Sequence, residues 1–212
     1  MDSVSRETIA QPLGRRERKK LKVKERVYSS ALALFTERGY DRTSIDEIAE
    51  HADVARGTFF NYFQRKEDLV GAWGEQRRNK LRERLEVPMQ SAEGSVAVRL
   101  ERCMTALGDI NEEEREITGA MLSAWVKAGR PLLEEPFAAE IFASIVKSGL
   151  ACGEVSPDVD PERVGNLLRD VYLGTLYRWT RTQQRKGALH EELNAVLQLF
   201  LHGLLVTPES HG

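Results

Sequence analysis

The residues with the most specific chemistry in the sequence stand between positions 56 and 61. Arg56 carries a guanidinium group whose paired N–H donors match the O6 and N7 acceptors of guanine. Thr58 can hydrogen-bond a base edge or pack on a thymine methyl group, and Asn61 can reach a base or a phosphate. Gly57 has no side chain, so a sugar-phosphate backbone can approach closely there. These residue types predict contact with DNA, provided that a rigid element exposes them together.

The first half of the segment 43–63 is predicted to be a short helix that supports this element. Ser44 and Glu47 have the Ser-x-x-Glu spacing of a capping box, in which each side chain satisfies a backbone N–H of the other residue. The apolar positions that follow recur at helical spacing and give this helix one apolar face: Ile45, Ile48 and Ala49.

The second half of the same segment is predicted to be the element that carries Arg56. Asp53 is expected to be its N-cap, so that the helix begins at Val54. Its anchoring side chains recur at i, i+3 and i+4: Phe59, Tyr62 and Phe63. A helix that is anchored at its far end and bare at its N-terminus can enter the major groove, as in a helix-turn-helix motif.

The stretch 31–69 resembles the DNA-binding domain of the TetR (tetracycline-repressor-like) family of transcriptional regulators. The residues that carry the resemblance fall at the spacing of that family: Gly39, Thr43, Ile48, Ala49, Gly57, Thr58, Tyr62, Phe63 and Lys66. The similarity covers roughly residues 20–80, and the rest of the chain matches in length and helical character. It implies an all-α fold, with an N-terminal three-helix helix-turn-helix domain and a C-terminal helical domain for effector binding and dimerisation.

The resemblance also implies which residues hold the DNA backbone. Phosphate contacts on either side of the groove are expected from Tyr62, Lys66 and Thr43, with Ser44 as the alternative to Thr43. Phe60 departs from the family pattern, because a tyrosine is common at this position and its hydroxyl can donate to a phosphate. Phe60 can still pack on the sugar edge, but without a hydroxyl it cannot donate a hydrogen bond to a phosphate.

The chain divides into segments of different composition. Residues 1–19 are expected to form a flexible basic arm, 20–66 the DNA-binding domain and 67–87 a linking helix. The C-terminal domain is placed at 95–206, and 207–212 are a tail. Eight Lys and Arg residues between positions 14 and 26 are expected to lie along phosphates or in the minor groove.

Helical periodicity continues to the end of the chain. The first helix is predicted at 20–38, and five amphipathic helices follow the linking helix, at 95–110, 113–128, 133–150, 160–185 and 189–205. The Asp160-Pro161-Glu162 sequence is a clear helix start, with an N-cap, a proline at the first position and an acid behind it. No strand alternation or hairpin signal competes with this interpretation.

Composition limits the class of protein further. The chain has 212 residues, 30% of them charged and 41% hydrophobic, and contains neither a membrane-spanning apolar run nor the apolar core of a secretory signal. Cys103 and Cys152 have no metal-site spacing and are expected to be buried free thiols in a cytoplasmic protein. The first 80 residues carry a net charge of +4 and the remainder −6, so only the first part is suited to a polyanion.

The sequence contains no recognisable catalytic constellation. Four histidines occur, and none has a Cys, Ser or carboxylate partner at a motif spacing: His51, His190, His202 and His211. There is no GxGxxG, P-loop, HExxH or GxSxG motif. We therefore expect no enzyme activity, no cofactor and no metal.

The C-terminal domain is expected to bind an effector and a second subunit, as the resemblance implies. The candidate lining residues of a cavity for a small, largely apolar effector are Met104, Met121, Trp125, Tyr172 and Trp179, with ordinary core packing as the alternative. The candidate residues of the dimer interface on the last helix are Val196, Leu197, Phe200, Leu201 and Leu204. Pairing of this helix with the preceding one would form a four-helix interface.

Together these features predict a homodimeric repressor that binds a palindromic operator in double-stranded DNA and is released by a small-molecule effector. Two alternatives stay open. The first is a DNA-binding regulator without an effector, which a partner protein controls or which acts constitutively. The second is an enzyme on a helical scaffold, which turnover of a bound compound would reveal.

Overall fold

Every secondary-structure element in the described part of the chain is an α-helix. The computed structural model describes residues 14–90, 94–130, 137–182 and 185–202. The helices are α1 (Arg15–Arg38), α2 (Ile45–His51), α3 (Arg56–Phe60), α4 (Lys66–Gln90), α5 (Val96–Glu113), α6 (Arg115–Lys127), α7 (Phe137–Cys152), α8 (Pro161–Arg181) and α9 (Ala188–His202). The predicted all-α class is confirmed. Residues 1–13 of the predicted arm and the predicted tail 207–212 lie outside the described ranges.

Helix α1 begins earlier than its periodicity predicts. It starts at Arg15 rather than near position 20, so five residues of the predicted flexible arm belong to the helix. The apolar stripe that defines a helix in the sequence begins only at Val23, whereas the preceding turns are held by backbone bonds on a charged, exposed surface. The helix ends at Gly39, whose φ of +84° is a conformation that favours glycine.

The first three helices and the start of α4 enclose the N-terminal core. Helix α1 contributes Val27, Leu34 and Phe35, and α2 contributes Ile48, each at most 2% exposed. The predicted capping box of α2 is present, because Ser44 Oγ accepts from the N–H of Glu47 at 3.2 Å and Glu47 Oε2 accepts from the N–H of Ser44 at 2.7 Å. This core fixes α3 against α1 and α2.

The corner between α2 and α3 differs from the prediction. Asp53 does not cap α3: its φ of +50° places it in the left-handed region, and Ala55 precedes the helix instead. The cause is the end of α2, where the N–H of Asp53 bonds the carbonyl of Glu50 at 2.9 Å and the N–H of Val54 bonds that of Ala49 at 3.0 Å. This pair of bonds is a Schellman motif, which needs a left-handed residue at the position of Asp53.

The remaining helices enclose a C-terminal core, and α4 and α6 contribute to both cores. Leu69 of α4 packs in the N-terminal core, and Leu81, further along the helix, packs in the C-terminal one. Met121 of α6 faces the N-terminal core and the adjacent Leu122 the C-terminal core. Helices α4 and α6 therefore pack in both cores and connect them.

Helix α8 starts as the sequence predicts. Asp160 Oδ1 accepts from the N–H groups of Glu162 at 3.0 Å and Arg163 at 3.3 Å, and Pro161 occupies the first helical position. Gly165 lets α8 lie directly against α7, because a Cβ atom there would stand 2.4 Å from the carbonyl oxygen of Ala139.

Candidate nucleic-acid interface and effector cavity

Helix α3 is short and is anchored by aromatic packing. Phe59 is completely buried, and its ring centroid lies 5.5 Å from that of Phe60 and 5.9 Å from that of Phe63. Tyr62, the third predicted anchor, is half-buried. Ala55, before the first turn, makes no side-chain cap. The packing leaves the first two residues of α3 exposed.

Those two residues are Arg56 and Gly57. Arg56 Nη1 donates to both carboxylate oxygens of Asp46, at 2.7 and 2.6 Å, and the guanidinium carbon lies 5.7 Å from the ring centroid of Phe60. A Cβ atom added to Gly57 would meet no atom within 4 Å, so the space beside this residue is open. Thr58 is half-buried and Asn61 is exposed directly after the helix. An extended ligand can therefore approach this end of α3 closely.

Thr43 and Ser44 occupy different environments. Thr43 is 2% exposed, and its hydroxyl donates to the carbonyls of Gly39 at 2.9 Å and Leu34 at 3.4 Å. Ser44 is exposed, although its hydroxyl is engaged with Glu47 in the capping box. The bonds from Ser44 and the nearby Arg38 hold the pKa of Glu47 below its usual value. Of the two alternative phosphate contacts, only Ser44 is on the surface.

Lys66 joins two parts of the DNA-binding domain. Its Nζ donates to the carbonyls of Tyr40 at 2.8 Å and Thr43 at 3.0 Å, and it lies 4.1 Å from the centroid of the Tyr40 ring. The Tyr40 hydroxyl donates to Glu67 at 3.0 Å, and burial together with this bond raises the pKa of Tyr40. A phosphate contact by Lys66 would require its ammonium group to share or leave these carbonyls.

The basic residues of α1 lie on an exposed surface of the same domain. All eight Lys and Arg side chains from Arg15 to Arg26 are exposed. Arg26 Nη2 also donates to the carbonyl of Asp53 at 3.1 Å, which ties α1 to the corner between α2 and α3. Positive charge therefore extends from the helix-turn-helix along α1.

A cavity of about 370 Å³ lies between α4, α5, α6, α7 and α8. Its apolar wall includes Leu81, Leu107, Ile110, Leu122, Phe137 and Leu176. Trp125 and Tyr172, two of the five predicted effector residues, line this cavity. Met104, Met121 and Trp179 do not line it: Met104 and Trp179 pack in the C-terminal core, and Met121 packs in the N-terminal core.

A polar network forms part of the cavity wall. Arg77 Nη2 donates to Asn111 Oδ1 at 2.6 Å and to the Thr118 hydroxyl, and Nη1 donates to Glu114 at 3.3 Å. Asn111 Nδ2 in turn donates to the Tyr172 hydroxyl at 2.9 Å. Burial lowers the pKa of Arg77, although the negative charge of Glu114 opposes the shift.

The contacts of Arg77 and Asp46 were not predicted from the sequence. Arg77 follows Trp73 by four residues and precedes Leu81 by four, so a charged residue stands on the inward-facing side of α4. That spacing was an available signal for a buried arginine. Asp46 gave no such signal, because an acid in the first turn of a helix is expected from the helix dipole alone.

The predicted dimer residues are divided between core and surface. Leu197 is 1% exposed and packs in the C-terminal core, whereas Phe200 is 37% exposed and Val196 and Leu201 are half-buried. Leu204 lies outside the described residues. Leu199, which was not predicted, is 53% exposed on the same helix. The surface of α9 thus carries two large exposed apolar side chains.

Comparisons with known proteins decide the family. The family described as bacterial regulatory proteins, tetR family, matches residues 27–73, and the C-terminal domain of TetR/AcrR family transcriptional repressors matches residues 76–203. The chain belongs to the TetR family. It is therefore a DNA-binding transcriptional repressor whose helix-turn-helix is α2 and α3.

Individual TetR-family proteins are similar over most of their length. The HTH-type transcriptional repressor KstR of Mycolicibacterium smegmatis is 26% identical, over 88% of both chains. The fatty acid metabolism regulator protein of Bacillus subtilis is 24% identical, over 84% of this chain and 93% of its own. Among solved structures, Thermus thermophilus FadR, a TetR-family repressor in complex with lauroyl-CoA, has a TM-score of 0.69 and 30% identity, covering 89% of this chain and 100% of that chain.

Two kinds of feature are absent from residues 14–90, 94–130, 137–182 and 185–202. None of the described helices combines the length and apolar character needed to cross a membrane. In the same ranges, no three His, Cys, Asp or Glu side chains are grouped so that they could hold a metal ion. Cys103 is a buried free thiol, whereas Cys152, which was predicted to be buried, is exposed.

Proposed function

We propose that this repressor binds a palindromic operator as a homodimer and is released by an effector of the fatty acyl-CoA class. The observation that carries the effector assignment is the cavity of about 370 Å³, which falls in the range of about 300–1,000 Å³ found for small-molecule sites. Its predominantly apolar wall suits an acyl chain. Lauroyl-CoA bound to the Thermus thermophilus relative supports the same class.

Charge near the cavity supports an effector with an anionic part. Arg77, Arg78 and Arg169 line it together with a single acid, Asp170. Arg169 is paired with Asp170 at 2.6 Å, and Arg78 is paired with Glu75 at 2.6 Å outside the wall. Each of these arginines, including Arg77 beside Glu114, has an acidic partner that an anionic group of a ligand can replace. The site therefore suits a ligand that has a hydrocarbon chain and negatively charged groups.

On the DNA side, the proposed contacts follow the exposed residues. Arg56, Thr58 and Asn61 are proposed to face the major groove, with Gly57 allowing close approach of the backbone. Tyr62 and Ser44 are proposed to hold phosphates, and Phe60 to pack beside them. The basic face of α1 adds attraction that does not depend on sequence.

Release is proposed to act through α4 and α6. Both helices line the cavity, through Leu81 and Leu122 among others, and both pack in the N-terminal core, through Leu69 and Met121. An effector that fits the cavity better in one arrangement of these helices shifts the population toward that arrangement. If the recognition helices of the dimer then no longer match half-sites about one helical turn apart, operator affinity falls.

Fluorescence anisotropy tests this function directly. The operator is selected from random-sequence duplexes with the wild-type protein, and lauroyl-CoA, free CoA and laurate are then titrated into the complex. We expect lauroyl-CoA to lower operator affinity at least about tenfold, with free CoA much weaker, because the apolar chain provides most of the burial. Operator binding that responds to none of these compounds would favour the alternative of a regulator without a small-molecule effector.

A variant that fills the cavity separates effector binding from DNA binding. Ala138 is half-buried and lines the cavity. We expect Ala138→Phe to weaken lauroyl-CoA binding in calorimetry at least about tenfold, because a bulky ring occupies the apolar space, and to leave operator binding intact. Ala151→Phe is the matched control, since it adds the same ring at an exposed position of the same helix. Equal effects of the two variants would argue against this cavity as the effector site.

A further inference from the structure

We propose that Asp46 is a positioning residue that aims Arg56 at its base pair and so determines specificity at that position. The proposal rests on the proposed function of Arg56 as a base reader. It assigns a role to a residue of α2, the helix that otherwise serves as support. The two residues lie ten positions apart and belong to different helices of the motif.

The geometry fixes one side of the guanidinium and leaves the other available. Only Nη1 of Arg56 donates to Asp46, at 2.7 and 2.6 Å to the two carboxylate oxygens. Nε and Nη2 meet no acceptor among residues 14–90, 94–130, 137–182 and 185–202. Bidentate recognition of guanine needs two N–H groups that point the same way. The Nε–Nη2 edge provides that pair while Asp46 holds the opposite nitrogen.

The Phe60 ring limits the remaining freedom of this side chain. It lies 5.7 Å from the guanidinium carbon, within the range in which a cation interacts with an aromatic ring. Arg56 is therefore held by a carboxylate on α2 and a ring on α3. Phe60 lacks the hydroxyl that a tyrosine would offer to a phosphate, and its proposed role is to restrict the position of the Arg56 guanidinium.

Stability does not explain the Asp46–Arg56 pair. The two side chains are 63% and 60% exposed, and ion pairs in such positions contribute little to folding. A flexible arginine, in contrast, loses rotamer freedom when it binds a base, and prior ordering removes part of that cost. The value of the pair therefore appears in binding rather than in folding.

The negative charge of Asp46 also indicates a role in sequence specificity rather than in overall DNA affinity. A carboxylate beside the reading end of α3 repels phosphates, so Asp46 lowers affinity for any DNA. The repulsion is offset where Arg56 finds its two acceptors and is not offset on other sequences. Such a device raises the ratio of operator binding to non-specific binding.

The test compares Asp46→Ala with Glu50→Ala in the full-length protein. Glu50 is an exposed acid on the same helix, so both variants remove one negative charge from α2. Affinities are measured for the selected operator, for operators changed at each base pair in turn, and for random duplex. Arg56→Ala and the double variant Asp46→Ala/Arg56→Ala complete a cycle, and circular dichroism confirms that each variant is folded.

We expect both single acid variants to bind random DNA more tightly. Only Asp46→Ala should reduce discrimination at the base pair that Arg56→Ala relaxes, by about three- to tenfold. In the Arg56→Ala background, Asp46→Ala should cause no further loss of discrimination at that base pair. Discrimination that is unchanged or improved in Asp46→Ala overturns the proposal. An Arg56→Ala protein that keeps its base preference at every position of the operator also overturns the proposal. That result would not contradict operator binding by the repressor. Failure of the wild type to select any sequence would instead contradict the proposed function, and this proposal with it.

Discussion

Lys66 shows how a single side chain can serve folding where the family resemblance implies a DNA contact. Its ammonium group bridges the carbonyls of Tyr40 and Thr43 and lies over the Tyr40 ring. A charged donor satisfies those carbonyls more strongly than a neutral one. The turn between α1 and α2 is thereby fixed to the start of α4.

We expect Lys66→Met to lower the free energy of unfolding by about 1–3 kcal/mol, because two backbone acceptors lose a charged partner. Urea denaturation measures this change. Lys22→Met is the control, since Lys22 is exposed on α1 and should affect DNA binding without affecting stability. The salt dependence of non-operator binding should flatten in Lys22→Met and stay unchanged in Lys66→Met. The reverse result for Lys66, with unchanged stability and a flatter salt dependence, would support the phosphate contact that the family resemblance implies.

The residues that sequence reasoning placed well are those whose role is local. Ser44 and Glu47 were predicted as a capping box, and both hydrogen bonds are present, because the motif is contained within four residues. Thr43 was not recognised as buried, since its acceptors belong to the end of α1. Thr43 and Ser44 are adjacent and both carry a hydroxyl, so the sequence alone does not show which of the two hydroxyls faces solvent.

At the scale of helices, the start of α9 depends on an acid from another helix. Glu112 of α5 accepts from the N–H groups of Gly187 at 2.7 Å and Leu189 at 3.0 Å, and His190 Nδ1 lies 3.2 Å from its carboxylate. Burial alone would raise the pKa of Glu112, but these hydrogen bonds outweigh it and the pKa lies below its usual 4.5. Asp109 approaches the other ring nitrogen of His190 at 2.8 Å.

The lowered pKa gives a pH dependence with a defined sign. Because Glu112 holds its proton less tightly in the folded chain, its contribution is complete above its usual pKa of 4.5 and is lost as the pH falls through the lower folded value. We expect Glu112→Gln to cost about 1 kcal/mol at pH 7 and to weaken the decline in stability below pH 4.5. Urea denaturation at a series of pH values measures both effects, with the exposed Glu192→Gln as the control. Parallel pH profiles for Glu112→Gln and the wild type would contradict this account.

Helix ends were less predictable than the helices themselves. The sequence at the corner of the motif allows Asp53 either to cap α3 or to close α2 in a left-handed conformation, and both roles suit aspartate. The choice depends on how α3 packs, since Phe59 must reach the N-terminal core. Asp160 had no such competition, because Pro161 fixes the first turn of α8, and its capping role was predicted correctly.

At the scale of the whole molecule, the exposed apolar residues of α8 and α9 support the proposed dimer. Leu167 is 48% exposed on α8, and Leu199 and Phe200 are 53% and 37% exposed on α9. Large apolar side chains that remain on the surface of two neighbouring helices favour burial against a second copy. A palindromic operator would then be read by two identical recognition helices.

We expect Leu199→Glu to shift the protein from dimer toward monomer in sedimentation velocity and to weaken operator binding at least about tenfold, because a charge would be buried in the interface. Val126→Glu is the matched control, since Val126 is 45% exposed on α6 and the variant adds the same charge outside α8, α9 and the basic face of α1. A Leu199→Glu protein that sediments as the wild type does would place the interface elsewhere.

The sequence predicted the helical class and the two-part organisation, but it did not predict the cavity walls. Met121 and Trp125 share one helical stripe, yet Trp125 lines the cavity and Met121 packs in the N-terminal core. Periodicity shows that a residue faces inward without showing which of two interiors it faces. That distinction arises only when α6 is placed between the two cores.

The placement of α4 and α6 in both cores has a consequence for the evolution of ligand specificity. A substitution at Leu81 or Leu122 changes the shape of the cavity through a helix that also packs against the DNA-reading unit, so under the proposed release mechanism we expect it to alter repression as well. Ala138 and Leu176 line the cavity from α7 and α8, and neither helix contributes to the N-terminal core. A descendant that acquires a new inducer while keeping its operator should therefore carry its changes at positions such as Ala138 and Leu176, which contact the cavity from helices outside the N-terminal core.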